Sequence, residues 1–160
     1  MSTTADNQGE PITEAGLTAL KAEIGELETV ARRDIAERIL TARGHGDLKE
    51  NAEYHAAKED QAHLETRILR LRERLRNAVV VDTVAGGNAM AFNREAEIRD
   101  LGTDETFNWT IVGVAEADRA AGKLSSESPV ARALLDQPVG TTVELTTPRG
   151  TRRLRIERLV

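Results

Sequence analysis

The chain has 160 residues and a mass of 17.5 kDa, which suits one ordinary domain or two small ones and excludes a large enzyme with a single core. Its net charge of −5, from 22 basic and 27 acidic residues, argues against a protein that holds nucleic acid mainly through phosphates. The absence of cysteine excludes disulfides and thiolate metal sites. Only 2% of the residues are aromatic, a composition that favours long paired helices built from Leu, Ile and Ala.

The N-terminal residues 1–10 hold no large apolar side chain after Met1, so we expect a disordered tail there. They lack the basic and apolar regions of a signal peptide, and no run of about 18 apolar residues occurs in the chain. We therefore expect a cytoplasmic protein.

Two apolar patterns with coiled-coil spacing occupy residues 11–80. The first follows Pro11 and a predicted N-cap at Thr13, and Gly44 and Gly46 end it. The patterns predict an antiparallel helical hairpin with arms of about 30 residues, each roughly 45 Å long. Gln61 is the polar member and could set the register. The apolar seams comprise Leu17, Leu20, Ile24, Leu27, Ala31, Ile35 and Ile39 in the first arm, and Ala57, Leu64, Ile68, Leu71, Leu75 and Ala78 in the second.

The residue pattern of the remainder of the chain predicts a small sheet domain. After a predicted linker at residues 81–90, apolar and polar residues alternate over residues 106–112, which predicts a half-buried strand. Residues 142–146 and 151–158 flank a turn and predict a β-hairpin, and Ser128 with Pro129 predicts the start of a short helix. The predicted fold class is α+β: a helical hairpin followed by a small antiparallel sheet domain with one short helix, residues 91–160.

The turn between the arms carries two acids, Asp47 and Glu50, and two interpretations fit them. In the first, Asp47 caps the following helix and Glu50 reaches back in a capping box, beside the positive end of the helix dipole. In the second, the β-carbons of the two residues lie about 5 to 6 Å apart on one helix face, so that the two carboxylates can share a hard cation such as Mg²⁺. The two interpretations are compatible with each other. Two carboxylates leave most of an octahedral coordination shell to water or another molecule.

The segment HGDLKENAEYHAAKEDQ, residues 45–61, resembles the tip of the bacterial Gre transcript-cleavage factors, a family of transcription elongation factors, and the GreA type in particular. Shorter matches extend the resemblance from about Pro11 to the C-terminus. The sequence departs from the family's pattern at two places. Residues 92–96 replace a turn that usually contains glycine, and Arg119 stands where the family often has proline. The shorter matches are Ile111-Val112-Gly113, Glu116-Ala117-Asp118, Gly122-Lys123-Leu124, Ser128-Pro129, Leu134-Leu135 and Val139-Gly140.

The resemblance implies a coiled-coil hairpin that enters the secondary channel of bacterial RNA polymerase, and an FKBP-like domain that docks at the channel rim. It implies that Asp47 and Glu50 help to bind a second Mg²⁺ and position water for cleavage of backtracked RNA, so that the protein activates the polymerase without being a nuclease itself. We expect a monomer that touches the nascent RNA 3′ end only near the tip.

Other residues of the hairpin receive weaker interpretations. Lys58 matches a basic position thought to contact RNA in the family, or it is a solvated helical lysine. Asn51 and Tyr54 are candidates for supporting the tip. A zinc site built from the three histidines is disfavoured by their spacing. Salt bridging and solvation explain a run of arginines better than RNA contact does; it comprises Arg67, Arg70, Arg72, Arg74 and Arg76.

Two alternative functions are weighed against transcript cleavage. A non-catalytic channel binder that regulates or inhibits RNA polymerase would keep the hairpin and the docking domain, but it would not need Asp47 and Glu50 at this spacing. A prolyl isomerase is disfavoured because four aromatic residues in the whole chain leave little for an aromatic-lined proline pocket.

Overall fold

The computed structural model describes residues 9–82 and 87–160, which form two compact units. The hairpin unit comprises Leu17–Ala78, and the sheet unit comprises the described residues up to Gly16 together with Val79–Val160. Most of the predicted tail, residues 1–8, and the centre of the predicted linker, residues 83–86, lie outside the described residues. Within the described ranges, no helix is long and apolar enough to cross a membrane.

The hairpin unit confirms the predicted helical seams. Its first arm consists of α1 (Glu14–Glu26) from Leu17 onward, a π-helical turn (Leu27–Ala31) and α2 (Arg32–Arg43), and its second arm is α3 (Ala52–Asn77). Because apolar residues recur every three or four positions, one face of each arm is buried against the other. The buried positions are Leu20, Ile24, Ile39 and Ala42 in the first arm, and Ala57, Leu64 and Ile68 in the second.

A π-helical turn interrupts the first arm between α1 and α2. The N–H of Arg32 donates to the carbonyl of Leu27, five residues back, so this turn holds one residue more than an α-helical turn. In the α-helix that follows, Ile39 and Ala42 are buried on the seam. The Thr29 hydroxyl also donates to the Gly25 carbonyl at 2.7 Å, a type of bond that often bends helices.

Ion pairs join the two arms along their flanks. Arg32 makes a bidentate pair with Glu65, through Nε and Oε1 at 2.8 Å and Nη2 and Oε2 at 2.9 Å. The hydrogen bond from Arg32 is the main cause that holds the pKa of Glu65 below its ordinary value. The salt bridging predicted for the arginine run is confirmed at two of its members. Further pairs across the arms are Arg38 with Asp60, Arg67 with Glu23 and Arg72 with Glu28.

The sheet unit contains a five-stranded sheet in the order β5-β4-β3-β7-β6. The predicted strand, β-hairpin and helix start are confirmed, and with them the α+β fold class. The β4–β5 pair is parallel, which the sequence analysis did not predict, while the other pairs are antiparallel. The elements are β3 (Glu95–Asp100), β4 (Thr106–Val112), a 3-10 turn (Val114–Glu116), β5 (Lys123–Ser125), α4 (Pro129–Leu134), β6 (Thr142–Thr147) and β7 (Gly150–Leu159).

One face of this sheet, covered by α4, forms the core of the unit. Ser128 caps α4, as predicted, by accepting the N–H of Ala131 at 3.1 Å. Met90, at the end of the predicted linker, is fully buried in this core and donates its N–H to the Gln137 carbonyl at 2.9 Å. The other buried members are Ala96, Ile98, Ile111, Leu124, Ala131, Leu134, Leu145, Leu154 and Ile156.

Two local features stabilise the turns at either end of β3. Asn93 adopts a φ of 58°, a left-handed conformation that Asn tolerates better than most residues. After β3, the buried carboxylate of Asp100 accepts the N–H of Gly102 at 2.9 Å and pairs with Arg152.

The start of the described chain belongs to the sheet unit. The strand β1 (Glu10–Ile12) pairs with β2 (Ala78–Val80) in a separate two-stranded sheet. The Glu116 carboxylate accepts the Thr13 N–H at 3.1 Å and also the Thr13 hydroxyl proton. Thr13 in turn accepts the N–H of Gly16 at 3.0 Å, which confirms it as the predicted N-cap. A carboxylate 103 residues away in sequence thus fixes the start of α1.

Candidate functional site

The tip loop, residues 44–50, joins α2 to α3, and every one of its residues is exposed. It begins where the N–H groups of Gly44 and His45 donate to the carbonyls of Thr41 and Ala42, both at 3.1 Å. Gly46 then adopts a φ of 115°, which side chains disfavour, so the glycine permits the chain to turn here. The loop is therefore a short solvated connection with defined ends.

Asp47 and Glu50 both lie in the tip loop, ahead of α3. The predicted capping box is wrong, because α3 begins at Ala52 and its N-cap is Asn51. Asn51 has an extended backbone and accepts the Tyr54 N–H at 3.0 Å, the contact expected of a cap. The helical spacing of 5 to 6 Å assumed between the two acids therefore does not apply to them.

The two tip acids offer free carboxylate oxygens. One oxygen of Asp47 accepts the Lys49 N–H at 3.0 Å, which folds the backbone into a local turn. The other oxygen of Asp47 and both oxygens of Glu50 have no hydrogen-bond or ion-pair partner in the part of the chain that the structure describes. Exposed carboxylates without partners are hard oxygen donors that suit a Mg²⁺ ion.

The tip acids do not form a metal site by themselves. Within residues 9–82 and 87–160, no group of three or more His, Asp or Glu side chains is placed to hold a metal ion. Magnesium prefers octahedral coordination and keeps several waters, so two carboxylates fit a shared ion whose remaining ligands come from elsewhere.

Asn51 and Tyr54, the predicted tip supports, occupy the first turn of the second arm. The Asn51 side chain donates through Nδ2 to the Ala42 carbonyl at 2.6 Å, in the last turn of the first arm. The ring of Tyr54 meets that of His55 edge-on, with centroids 5.6 Å apart. The structure thus places Asn51 between the arms and Tyr54 beside it on α3.

Two histidine contacts across the tip were missed by the sequence analysis. His45 Nδ1 lies 3.0 Å from Glu53 Oε2, and His55 Nε2 lies 3.3 Å from the Lys49 carbonyl oxygen. Each contact joins the loop or its entry to α3, so it depends on how the loop folds. No periodic pattern could have identified these pairs.

Lys58 lies on α3, where its Nζ donates to Gln61 Oε1 at 3.0 Å. This is a contact within one helix, between residues that face the same side. The structure brings Lys58 into no contact with Asp47 or Glu50. Its role toward RNA stays a prediction.

Comparisons with known proteins decide the family. A profile described as "Transcription elongation factor, N-terminal" matches residues 10–80, and "Transcription elongation factor, GreA/GreB, C-term" matches residues 86–159. The chain belongs to the GreA/GreB family of transcription elongation factors. The resemblance found in the sequence is thereby confirmed across both units.

Individual members of the GreA/GreB family match over nearly the whole chain. The transcription elongation factor GreA of Bradyrhizobium sp. is 44% identical over 93% of this chain and 95% of its own length. GreA of Nautilia profundicola is 44% identical over 94% of this chain and 93% of its own. The crystal structure of GreA factor homolog 1 (Gfh1) of Thermus thermophilus covers 95% of this chain and 99% of its own, at 25% identity and a TM-score of 0.43.

Proposed function

We propose that this elongation factor stimulates RNA polymerase to cleave its own backtracked nascent RNA, and so rescues arrested complexes. The observation that carries the proposal is the pair of exposed acids in the tip loop, Asp47 and Glu50, with three carboxylate oxygens that no described residue engages. Membership of the GreA/GreB family supports the same activity, because transcript cleavage is the role that the resemblance to Gre factors implies.

The acids act as ligands and as orienting groups. Asp47 and Glu50 would hold one Mg²⁺ together with ligands from the polymerase, and an ion so placed stabilises the charge that develops on the phosphate during hydrolysis. A carboxylate oxygen left over can accept a proton or a hydrogen bond from the attacking water. The Lys49 N–H that Asp47 accepts fixes one oxygen and leaves the other available for such a contact.

The protein is an activator, with the active site supplied by its partner. Two carboxylates on an exposed loop offer no substrate pocket and an incomplete metal shell, so polymerase and Mg²⁺ are both required. The net charge of −5 disfavours RNA as the main tether. In this proposal the hairpin enters the secondary channel, the sheet unit docks at its rim, and Lys58 lies near the extruded RNA 3′ end.

The test uses stalled, backtracked transcription complexes incubated with saturating factor and Mg²⁺. Asp47→Asn and Glu50→Gln keep the size of each side chain and remove its charge, so each should slow cleavage by about a hundredfold, the loss typical of a group that stabilises transition-state charge. Glu73→Gln is the matched control, because it removes one exposed acid from the same unit without touching the tip.

Undiminished cleavage by both tip variants would overturn the proposal. If the wild-type factor slowed elongation without shortening the RNA, the non-catalytic channel binder would replace it. A Glu73→Gln variant as defective as the tip variants would show that overall charge, and not the tip, controls the reaction.

A further inference from the structure

Asn51 makes two side-chain hydrogen bonds that point to different arms of the hairpin. Its Oδ1 accepts the Tyr54 N–H at 3.0 Å and caps α3. Its Nδ2 donates at 2.6 Å to the carbonyl of Ala42, a residue of α2 that is only 3% exposed. One side chain therefore begins the second arm and bonds to the end of the first.

The Ala42 carbonyl is the point at which both ends of the tip loop meet. It accepts the His45 N–H at 3.1 Å, in the turn that ends α2, and the Asn51 amide at the same time. A carbonyl oxygen has two lone pairs and can accept both bonds. The loop that carries Asp47 and Glu50 is thus closed by a pair of hydrogen bonds at a single carbonyl oxygen.

The chemistry of these two bonds requires an amide. An Asn side chain presents a donor and an acceptor on one planar carbon, whereas Asp presents two acceptors and Ser a single hydroxyl. Asp and Ser are both good N-caps, so either can replace the Oδ1 contact with Tyr54. The Asp carboxylate has no proton to donate, and the Ser hydroxyl lies one bond nearer the backbone than the Asn amide nitrogen, so neither residue can cap α3 and also donate to Ala42 with the geometry of Asn51. The two variants therefore separate the two roles experimentally.

We infer that Asn51 is a positioning residue, which fixes the tip loop through its bond to Ala42 and thereby places Asp47 and Glu50 for transcript cleavage. The inference rests on the proposed function for its catalytic consequence, and on hydrogen bonds within the hairpin unit for its structural part. Loss of the cross-arm bond should leave the arms paired, because the buried seam lies outside the loop.

The structural part is tested on the free, full-length protein by amide hydrogen exchange. In Asn51→Asp and Asn51→Ser the His45 amide should exchange about five- to tenfold faster, as expected for one lost hydrogen bond, while the Tyr54 amide keeps its protection. Unchanged exchange at His45 in both variants would overturn the inference. Ser has no charge, so agreement between the two variants assigns the effect to loss of the Asn51 amide N–H and not to an added charge.

The catalytic part is tested by cleavage as a function of factor concentration. Both variants should reduce the rate at saturation about tenfold, as expected for a displaced catalytic group, while the half-saturating concentration stays within about twofold. Ser128→Ala is the matched control, because it removes an N-cap from a helix of the sheet unit and should change neither quantity.

The outcomes separate the inference from the proposed function. Faster exchange at His45 with an unchanged maximal rate would overturn the positioning role, provided that Asp47→Asn and Glu50→Gln still slow cleavage as expected. If those two acid variants remain fully active, the proposed function is wrong and the positioning role is overturned with it. A raised half-saturating concentration with an unchanged maximal rate would assign Asn51 to binding and overturn the inference.

Discussion

The two units of the molecule are stabilised in different ways. In the described part of the sheet unit, ten side chains from Met90 to Ile156 are buried together in a core between the sheet and α4. The hairpin unit buries a narrow line of Leu, Ile and Ala between two helices and adds ion pairs on the flanks. Every residue of the tip loop is exposed. Substitutions at the tip should therefore change function without lowering the free energy of unfolding. Substitutions in the core should lower the free energy of unfolding.

The largest stability effect should come from cutting the core of the sheet unit. Ile98 is fully buried on β3, so Ile98→Ala leaves a cavity in the core. We expect the free energy of unfolding to fall by about 4 kcal/mol. Trp109, the one tryptophan of the chain, lies on β4 beside this core and reports its unfolding by fluorescence. A change below about 1 kcal/mol would contradict the description of this core as closely packed.

The matching substitution in the hairpin unit should lower the free energy of unfolding by less than Ile98→Ala does. Ile68 is 1% exposed on α3, but only two helices surround it, so the arms can close part of the cavity left by Ile68→Ala. We expect the free energy of unfolding to fall by about 2 kcal/mol. Circular dichroism of the helices measures this unfolding. A cost equal to that of Ile98→Ala would remove the contrast between the two units.

The next effect concerns Asp100 and depends on pH. Burial raises the pKa of this carboxyl, but the hydrogen bond from Arg152 and those from the turn amides outweigh it, so the pKa is lowered overall. A lowered folded-state pKa means that the stabilisation is present above the unfolded value of about 4 and is lost as the pH falls through the folded value.

Asp100→Asn should therefore lower the free energy of unfolding at neutral pH, by roughly 1–3 kcal/mol, and flatten its decline below about pH 4. Denaturant unfolding at a series of pH values measures both. Asp104→Asn is the control, since it changes an exposed acid of the same turn at a φ of 63° that Asn tolerates. An unaltered acid profile in Asp100→Asn would refute this assignment.

The smallest effect should come from the ion pair between the arms. Arg32 and Glu65 are both about half exposed, with side-chain exposures of 40% and 45%, so solvent screens their attraction. A double-mutant cycle with Arg32→Gln and Glu65→Gln should show weak coupling that disappears near 1 M salt, where the Debye length is about 3 Å. Strong coupling that survives such salt would make the flanks, and not the seam, the main support of the hairpin.

The sequence predicted those features whose causes are local. Seam positions such as Leu64 and Ile68 follow a helical period, and the strand at Thr106–Val112 follows an alternating one. The Ser128 cap is also a local arrangement, since it involves residues three apart. Each of these patterns carries its signal within a few residues, and so each could be found without a structure.

The features that were missed depend on distant contacts. The start of α3 is set at Asn51, whose bond to Ala42 joins residues nine apart across the turn, whereas Asp47 is an equally good cap by residue type. The parallel strand Lys123–Ser125 has three residues, too few for a period. Exposed acids at the tip could be predicted from the turn between the seams, but their conformation could not.

The π-helical turn at Leu27–Ala31 adds one residue to the first arm without adding a helical turn. Such a turn is an α-helix with one residue inserted, so deletion of one residue there would restore a continuous helix with its seam in phase. A deletion elsewhere in the arm would rotate every later side chain by about 100°. In sequence comparisons within the family, a one-residue gap at this turn would therefore leave the tip loop facing the same way.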